Sequence, residues 1–331
     1  MARSHLTLAA LATSAVSGLD VAAARRFGSG THGDYESALL TSRDGSHWII
    51  RVPTSERAEA EQSADLVALR ALSTGVRARL PFAVSNFAGQ TPVGGTRAVV
   101  YDFVYGSKLE LGAITDGSAL APSLGRAIAA IHTLPTSLVA DAGLPVLGPA
   151  EILRSCVTVM DRAGATNLVP AALLGRWEKA TEDSALWQFA PTVINGALSA
   201  DSILTDDDEV AGVLGWQSLS IGDPARDLHW LLNARGDYVA KAAFDAYAEA
   251  RGSSDRQAKQ RAMLYAELEI AKWLLHGTQE HSTEIVDDAV QMLHGLVDTM
   301  LNQLDRTLSH NTEPVMALDE VEAMLDRNQR A

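Results

Sequence analysis

Val193-Ile194-Asn195-Gly196-Ala197-Leu198-Ser199-Ala200-Asp201-Ser202-Ile203-Leu204-Thr205, then Asp206-Asp207-Asp208-Glu209, then Val210-Ala211-Gly212-Val213-Leu214-Gly215-Trp216, is the stretch on which the fold turns. Val193-Ile194 is apolar, and Asn195 to Asp201 reads as a loop. Ser202 to Thr205 and Val210 to Trp216 read as two strands joined by an acidic turn, so the segment predicts a β-hairpin over 192–216. The surroundings predict helices. Leu124, Ile128 and Ile131 share one face of a helix ending near His132. Tyr265 to His276 and Ile285 to Leu308 are two more. In the last, Val286, Val290, Leu293, Val297, Met300 and Leu304 recur at intervals of three and four. A hairpin set inside a helical half is an uncommon arrangement.

The half before it is β-rich. Leu39 through the Asp44-Gly45 turn to Trp48-Ile49-Ile50-Arg51-Val52 predicts a hairpin. A glycine-rich loop, Gly28 to Gly33, precedes it. Ser55 to Ser73 predicts a helix with Glu59 and Glu61 early and Leu66, Leu69 and Leu72 on one face. Arg97 to Val104 predicts a strand ending at Gly106. Met1 to Ala24 loosely imitates a signal peptide, but Thr and Ser dilute its apolar run and Asp20 falls in the cleavage region. It is read instead as an opening helix with Leu6, Leu8, Leu11 and Val16 toward a core. The domain division expected is 1–105, 106–310 and a polar tail over 311–331.

Composition narrows the partners. The chain has 331 residues, 27 Lys plus Arg, 41 Asp plus Glu and a formal charge of −14. Phosphate backbones are gripped by clustered Lys and Arg, so nucleic acid is not expected as a partner. No run of 18 apolar residues exists, so no membrane span is expected. A single cysteine, Cys156, excludes an internal disulfide and a Cys-based zinc site, and the expected location is the cytoplasm.

These motifs, in order, resemble the aminoglycoside and macrolide phosphotransferases, small-molecule kinases with a two-lobed, α+β protein-kinase-like fold. That family reads H-G-D-L-H-P-G-N-x-L, then V-x-G-V-I-D-W, then G-D-P-x-x-D-L. This chain keeps the spacing with N-G-A-L-S-A-D-S-I-L from Asn195, V-A-G-V-L-G-W to Trp216, and G-D-P-A-R-D-L from Gly222 to Leu228. W-I-I-R-V-P matches the third strand, V-V-Y-D-F-V-Y-G the interlobe connector, and S-L-G-R-A-I-A-A-I-H-T-L-P the helix after it. Arg51 in place of Lys brings the chain nearest the macrolide branch.

The resemblance implies ATP as nucleotide and Mg²⁺ as its ion, held by an Asn and an Asp, with a catalytic Asp at the acceptor hydroxyl. Here the catalytic Asp falls on Ala197, the metal-binding Asn on Ser202 and the metal-binding Asp on Gly215. The two loop histidines fall on Asn195 and Ser199. A methyl, a hydroxyl and a hydrogen do not replace a carboxylate, an amide and a carboxylate, which puts Mg²⁺ binding in doubt. Asp223 and Asp227 remain; the resemblance makes Asp227 a brace of the loop backbone, and Asp223 reads as the cap of a turn before Pro224.

Arg51 reads equally as a grip on phosphates or as a solvated strand charge, with Asp65 or Glu61 as its acidic partner. The connector, Asp102, Phe103 and Val104 after Tyr101, offers backbone groups to an adenine. The Gly28, Gly30 and Gly33 spacing is weak by itself. Asp206 to Glu209 reads as a solvated turn, His132, His229 and His276 as core or helix-end histidines, Trp230 and Trp273 as core, and Cys156 as a small buried hydrophobe.

Three readings stand open. The first is a pseudokinase that binds a nucleotide, a small molecule or a protein partner without transferring phosphate. The second is an active small-molecule phosphotransferase that uses Asp201 as substitute base or ligand. The third is nucleotidyl transfer on the same fold.

Overall fold

A computed structural model describes residues 3–28, 34–252 and 255–309, with side chains described to 300. The glycine-rich loop from residue 29 to 33 and the 311–331 tail lie outside the described residues. The chain forms two compact units, Met1–Cys156 with Thr181–Ala266, and Val157–Ala180 with Glu267–Ala331.

The first unit opens with α1 (His5–Ala15), capped by the Ser4 hydroxyl on Thr7 N–H. It continues through β1 (Val21–Arg26), β2 (Tyr35–Ser42), β3 (His47–Pro53), α2 (Glu56–Ala71), the single turn α3 (Thr74–Arg77), β4 (Phe87–Val93) and β5 (Thr96–Asp102). The strands form one antiparallel sheet in the order β1-β2-β3-β5-β4. Strand alternation sends Ala38, Leu40, Ile50, Val52, Ala98 and Val100 to one face, where Leu8 and Ala12 of α1 complete a buried cluster. Leu39, Arg51, Val99 and Tyr101 therefore face the other way. Leu6 lies off the Leu8–Ala12 stripe and is 68% exposed, which corrects its expected place in the core. Pro92 sits on the edge strand β4, where a missing N–H is tolerated.

Ser55 caps α2 on Ala58 N–H, and Leu66, Leu69 and Leu72 are buried. Arg77 closes the other end of α2. Its guanidinium donates to the carbonyls of Leu69, Leu72, Val84 and Ser85.

Beyond the sheet come β6 (Ser107–Lys108), α4 (Leu120–His132), α5 (Ser137–Asp141), α6 (Pro149–Gly164) and α7 (Ala171–Glu182). Then follow β7 (Thr192–Ile194), β8 (Ile203–Asp206), β9 (Glu209–Val213), β10 (Ser220–Gly222), α8 (Tyr238–Arg251), α9 (Ala258–Gln279) and α10 (Thr283–Ser309).

The embedded hairpin is β8–β9, with Asp207 and Asp208 both left-handed at its tip (φ 46° and 59°). Two positive φ values in a two-residue loop match the twist of a hairpin, and Asp tolerates them. Ser202 belongs to a 3₁₀ turn, Ala200–Ser202, rather than to the strand. The second strand ends at Val213, so Leu214, Gly215 and Trp216 leave the sheet. The Arg97–Val104 strand likewise ends at Asp102. Val193-Ile194 pairs with β10, a strand the hydrophobic pattern does not announce.

Candidate functional site

The loop after β7 is held from below by one carboxylate. Asp227 is fully buried, and its oxygens accept from Asn195 N–H at 2.7 Å and Gly196 N–H at 2.8 Å. Buried N–H groups need acceptors, and a carboxylate supplies strong ones. His132 Nε2 lies 3.2 Å from the same carboxylate, and His132 Nδ1 lies 2.9 Å from Tyr247 Oη. The Arg226 guanidinium donates to Gly196 O at 3.1 Å.

The Asn195 side chain is also buried. Its Nδ2 donates to Gly215 O at 2.8 Å and its Oδ1 accepts from Ala197 N–H at 3.1 Å, which ties the loop to the segment after β9. Asp223 caps Ala225 N–H at 2.9 Å. It also pairs with Arg261 at 2.7 and 3.0 Å and accepts from Tyr265 Oη at 2.8 Å. Arg261 lies thirty-eight residues downstream of Asp223 and has no motif of its own, so sequence reading misses this pair.

The positions at the mouth of the loop are different in kind. Ala197 and Ser199 are exposed. The Ser202 hydroxyl accepts from Ser199 N–H at 3.0 Å and donates to Ser199 O at 2.7 Å, so it is used inside its own turn. The Asp201 side chain is 85% exposed, 3.8 Å from Lys108 Nζ. Gly215 has φ +72°, and a Cβ built on it would lie 3.2 Å from Gln217 Oε1. Magnesium demands near-octahedral oxygen donors, usually including one or two carboxylates. Ala197, Ser202 and Gly215 offer no carboxylate, and this donor set does not fit that ion. Among the described residues no group of three or more His, Cys, Asp or Glu is placed to hold a metal, the Asp206 to Glu209 turn included.

Arg51 lies on the face of the sheet opposite α1. Its guanidinium carbon lies 3.9 Å from the centroid of the Tyr35 ring, a cation–π contact. Tyr35 Oη in turn donates to Ala58 O at 2.7 Å in the first turn of α2. Glu61 pairs with Arg57 at 3.0 Å. Asp65 accepts from Trp216 N–H at 2.8 Å, which ties α2 to the segment carrying Gly215. Burial raises the Asp65 pKa above its ordinary value, against the opposing pull of that N–H and of Arg51 and Arg77. Neither Asp65 nor Glu61 forms an ion pair with Arg51 among the described residues. Sequence reading misses Tyr35 because an aromatic ring under a cation leaves no spacing signature.

The connector follows β5. Asp102 N–H donates to Asn86 O at 3.0 Å and Phe103 N–H to His47 O at 3.1 Å. Val104 is buried, and its N–H donates to nothing among the described residues. The Phe103 ring meets Phe27 and Tyr105 edge-on at centroid distances of 5.9 and 4.9 Å.

Comparisons with known proteins bear on this geometry. The family model described as "Phosphotransferase enzyme family" matches residues 23–265. Macrolide 2'-phosphotransferase MphH from Brachybacterium faecium superposes with a TM-score of 0.72 at 23% identity, covering 88% of this chain and 98% of that one. The GDP complex of aminoglycoside 2'-phosphotransferase-IIIa gives 0.73 at 17% identity, with coverage of 88% and 98%. At these identities the likeness is one of fold. YcbJ of Bacillus subtilis strain 168, named as an uncharacterized protein, is 24% identical over 208 residues, 59% of this chain. The match spans 65% of that relative's length, just under two thirds. The family model covers residues 23–265, well over half of the sequence, and the chain belongs to the phosphotransferase enzyme family.

Proposed function

We propose that this chain is a pseudokinase of the phosphotransferase family, which holds a nucleotide or small molecule in its cleft, or presents a surface to a protein partner, and does not transfer phosphate. One observation carries the reading. Ala197, Ser202 and Gly215 bring a methyl, a hydroxyl used within its own turn and a hydrogen to the loop, while the Asp227 brace beneath them is complete. Loss of a general base alone typically costs about 10²–10⁴ in rate. Loss of both metal donors also removes the charge that offsets the transferring phosphoryl group.

Two features support retention of a nucleotide, ATP in the first instance. The Val104 N–H points to no protein acceptor among the described residues, and Arg51 keeps a cation on the sheet face opposite α1. The aminoglycoside phosphotransferase of the same fold is a GDP complex. We place the chain in the cytoplasm as part of this reading, with which its single cysteine is compatible; no described helix is long and apolar enough to cross a membrane.

Family membership favours a second reading, an active ATP-dependent small-molecule phosphotransferase working through Asp201. Its exposure and its place beside Lys108 argue against a tuned catalytic carboxylate. ADP or GDP release should be followed with ATP or GTP, Mg²⁺ and a panel of macrolides and aminoglycosides. We expect no turnover above the protein-free blank. Turnover that disappears in Asp201→Ala would establish the second reading instead.

A further inference from the structure

Gln217 occupies the direction in which the side chain at 215 would extend. The left-handed backbone at Gly215 aims an added Cβ at 3.2 Å from Gln217 Oε1 and 3.8 Å from Nε2. Gln217 is only partly exposed, and its amide makes no hydrogen bond among the described residues. Asp65 links this segment to Arg51, because it holds Trp216 N–H and lies within the electrostatic reach of that guanidinium.

We infer that the cleft binds the phosphates of a nucleoside triphosphate directly, without a divalent ion, with the Gln217 amide and the Arg51 guanidinium as donors. The inference rests on reading the cleft as a nucleotide site. Its physical basis is charge. A carboxylate beside polyphosphate needs a cation between them. An amide carries two N–H donors and no charge, and a guanidinium carries five donors and a positive charge. The carboxylate of Asp65 is directed at the Trp216 N–H, and Ser202 is closed on its own turn, so neither supplies an ion site.

The test is calorimetric titration of the full-length chain with ATP and with GTP, once in EDTA and once in excess Mg²⁺. Wild type is compared with Gln217→Ala, Gln217→Glu and Arg51→Ala, each checked for an unchanged melting temperature. Wild-type affinity should not rise in excess Mg²⁺, because the ion occupies phosphate oxygens and lowers the nucleotide's charge while no protein donor gains from it. Gln217→Ala should weaken binding by about tenfold, the range for one hydrogen bond to a charged group. Gln217→Glu should weaken it further in EDTA and recover when Mg²⁺ is added.

Wild type that requires Mg²⁺ overturns the inference. So do Gln217 variants that match wild type while Arg51→Ala abolishes binding, a result that leaves the nucleotide reading standing. Wild type that binds neither nucleotide in either condition overturns the nucleotide reading itself.

Discussion

Asp227 turns one oxygen to Asn195 N–H and the other to Gly196 N–H. Each buried donor left without an acceptor costs about 1–3 kcal/mol. Asp227→Ala should therefore lower the unfolding free energy by roughly 3–5 kcal/mol, a large part of the ~5–15 kcal/mol typical of a domain. It should read as a lower urea midpoint at unchanged slope; a shift below about 1 kcal/mol would contradict the role. Asp65 gives a prediction in pH. Burial raises its pKa in the folded chain, so the native state holds this proton more tightly than the unfolded state does. Its stabilising contribution is full below the ordinary carboxylate value of about 3.9 and is lost as pH rises through the raised value. Asp65→Asn removes this dependence. Its melting temperature relative to wild type should accordingly rise between pH 4 and pH 7, and a difference that stays flat would contradict the shift. Asp223, Asp227, Ala197, Ser202 and Gly215 are legible in the sequence through the family resemblance, because they fall at that family's motif spacing in one run. Tyr35, Gln217 and Arg261 are not, because their contacts arise only when distant segments meet.

Helix α1 is set against the sheet through Leu8 and Ala12, and its last carbonyls meet β4 at a position without a side chain. A Cβ on Gly89 would lie 2.1 Å from Ala15 O and 2.9 Å from its carbonyl carbon, both backbone atoms that cannot swing aside. Gly89→Ala should destabilise by at least the ~1–3 kcal/mol usual for overpacking. Gly75→Ala, with nothing within 4 Å of the added carbon, should stay within about 0.5 kcal/mol. Thermal melts of the two variants check this, and equal losses would place α1 elsewhere. The elements differ in how far local sequence reveals them. β2, β3 and α2 carry alternation, a turn and a cap, and are readable. β1 is Val-Ala-Ala-Ala-Arg-Arg and β4 contains Gly89 and Pro92, so neither has strand propensity; pairing with β2 and β5 makes them strands.

Across the whole molecule the scaffold and the chemistry separate. The order hairpin, helix, strand, connector, helix, embedded hairpin, G-D-P-x-x-D-L is long and specific enough to fix the fold from sequence. It says less about the cleft, where the donors depend on which way Ser202, Gln217 and Arg51 point. The central claim is that this fold holds a nucleotide without transferring its phosphate. The most direct measurement is ³¹P NMR of ATP with stoichiometric protein, first in EDTA and then with Mg²⁺ and a mixture of aminoglycosides and macrolides. The account predicts broadened or shifted phosphate resonances in EDTA, and an unchanged γ-phosphate intensity over hours after Mg²⁺ and acceptors are added. A growing phosphomonoester signal matched by ADP would contradict it.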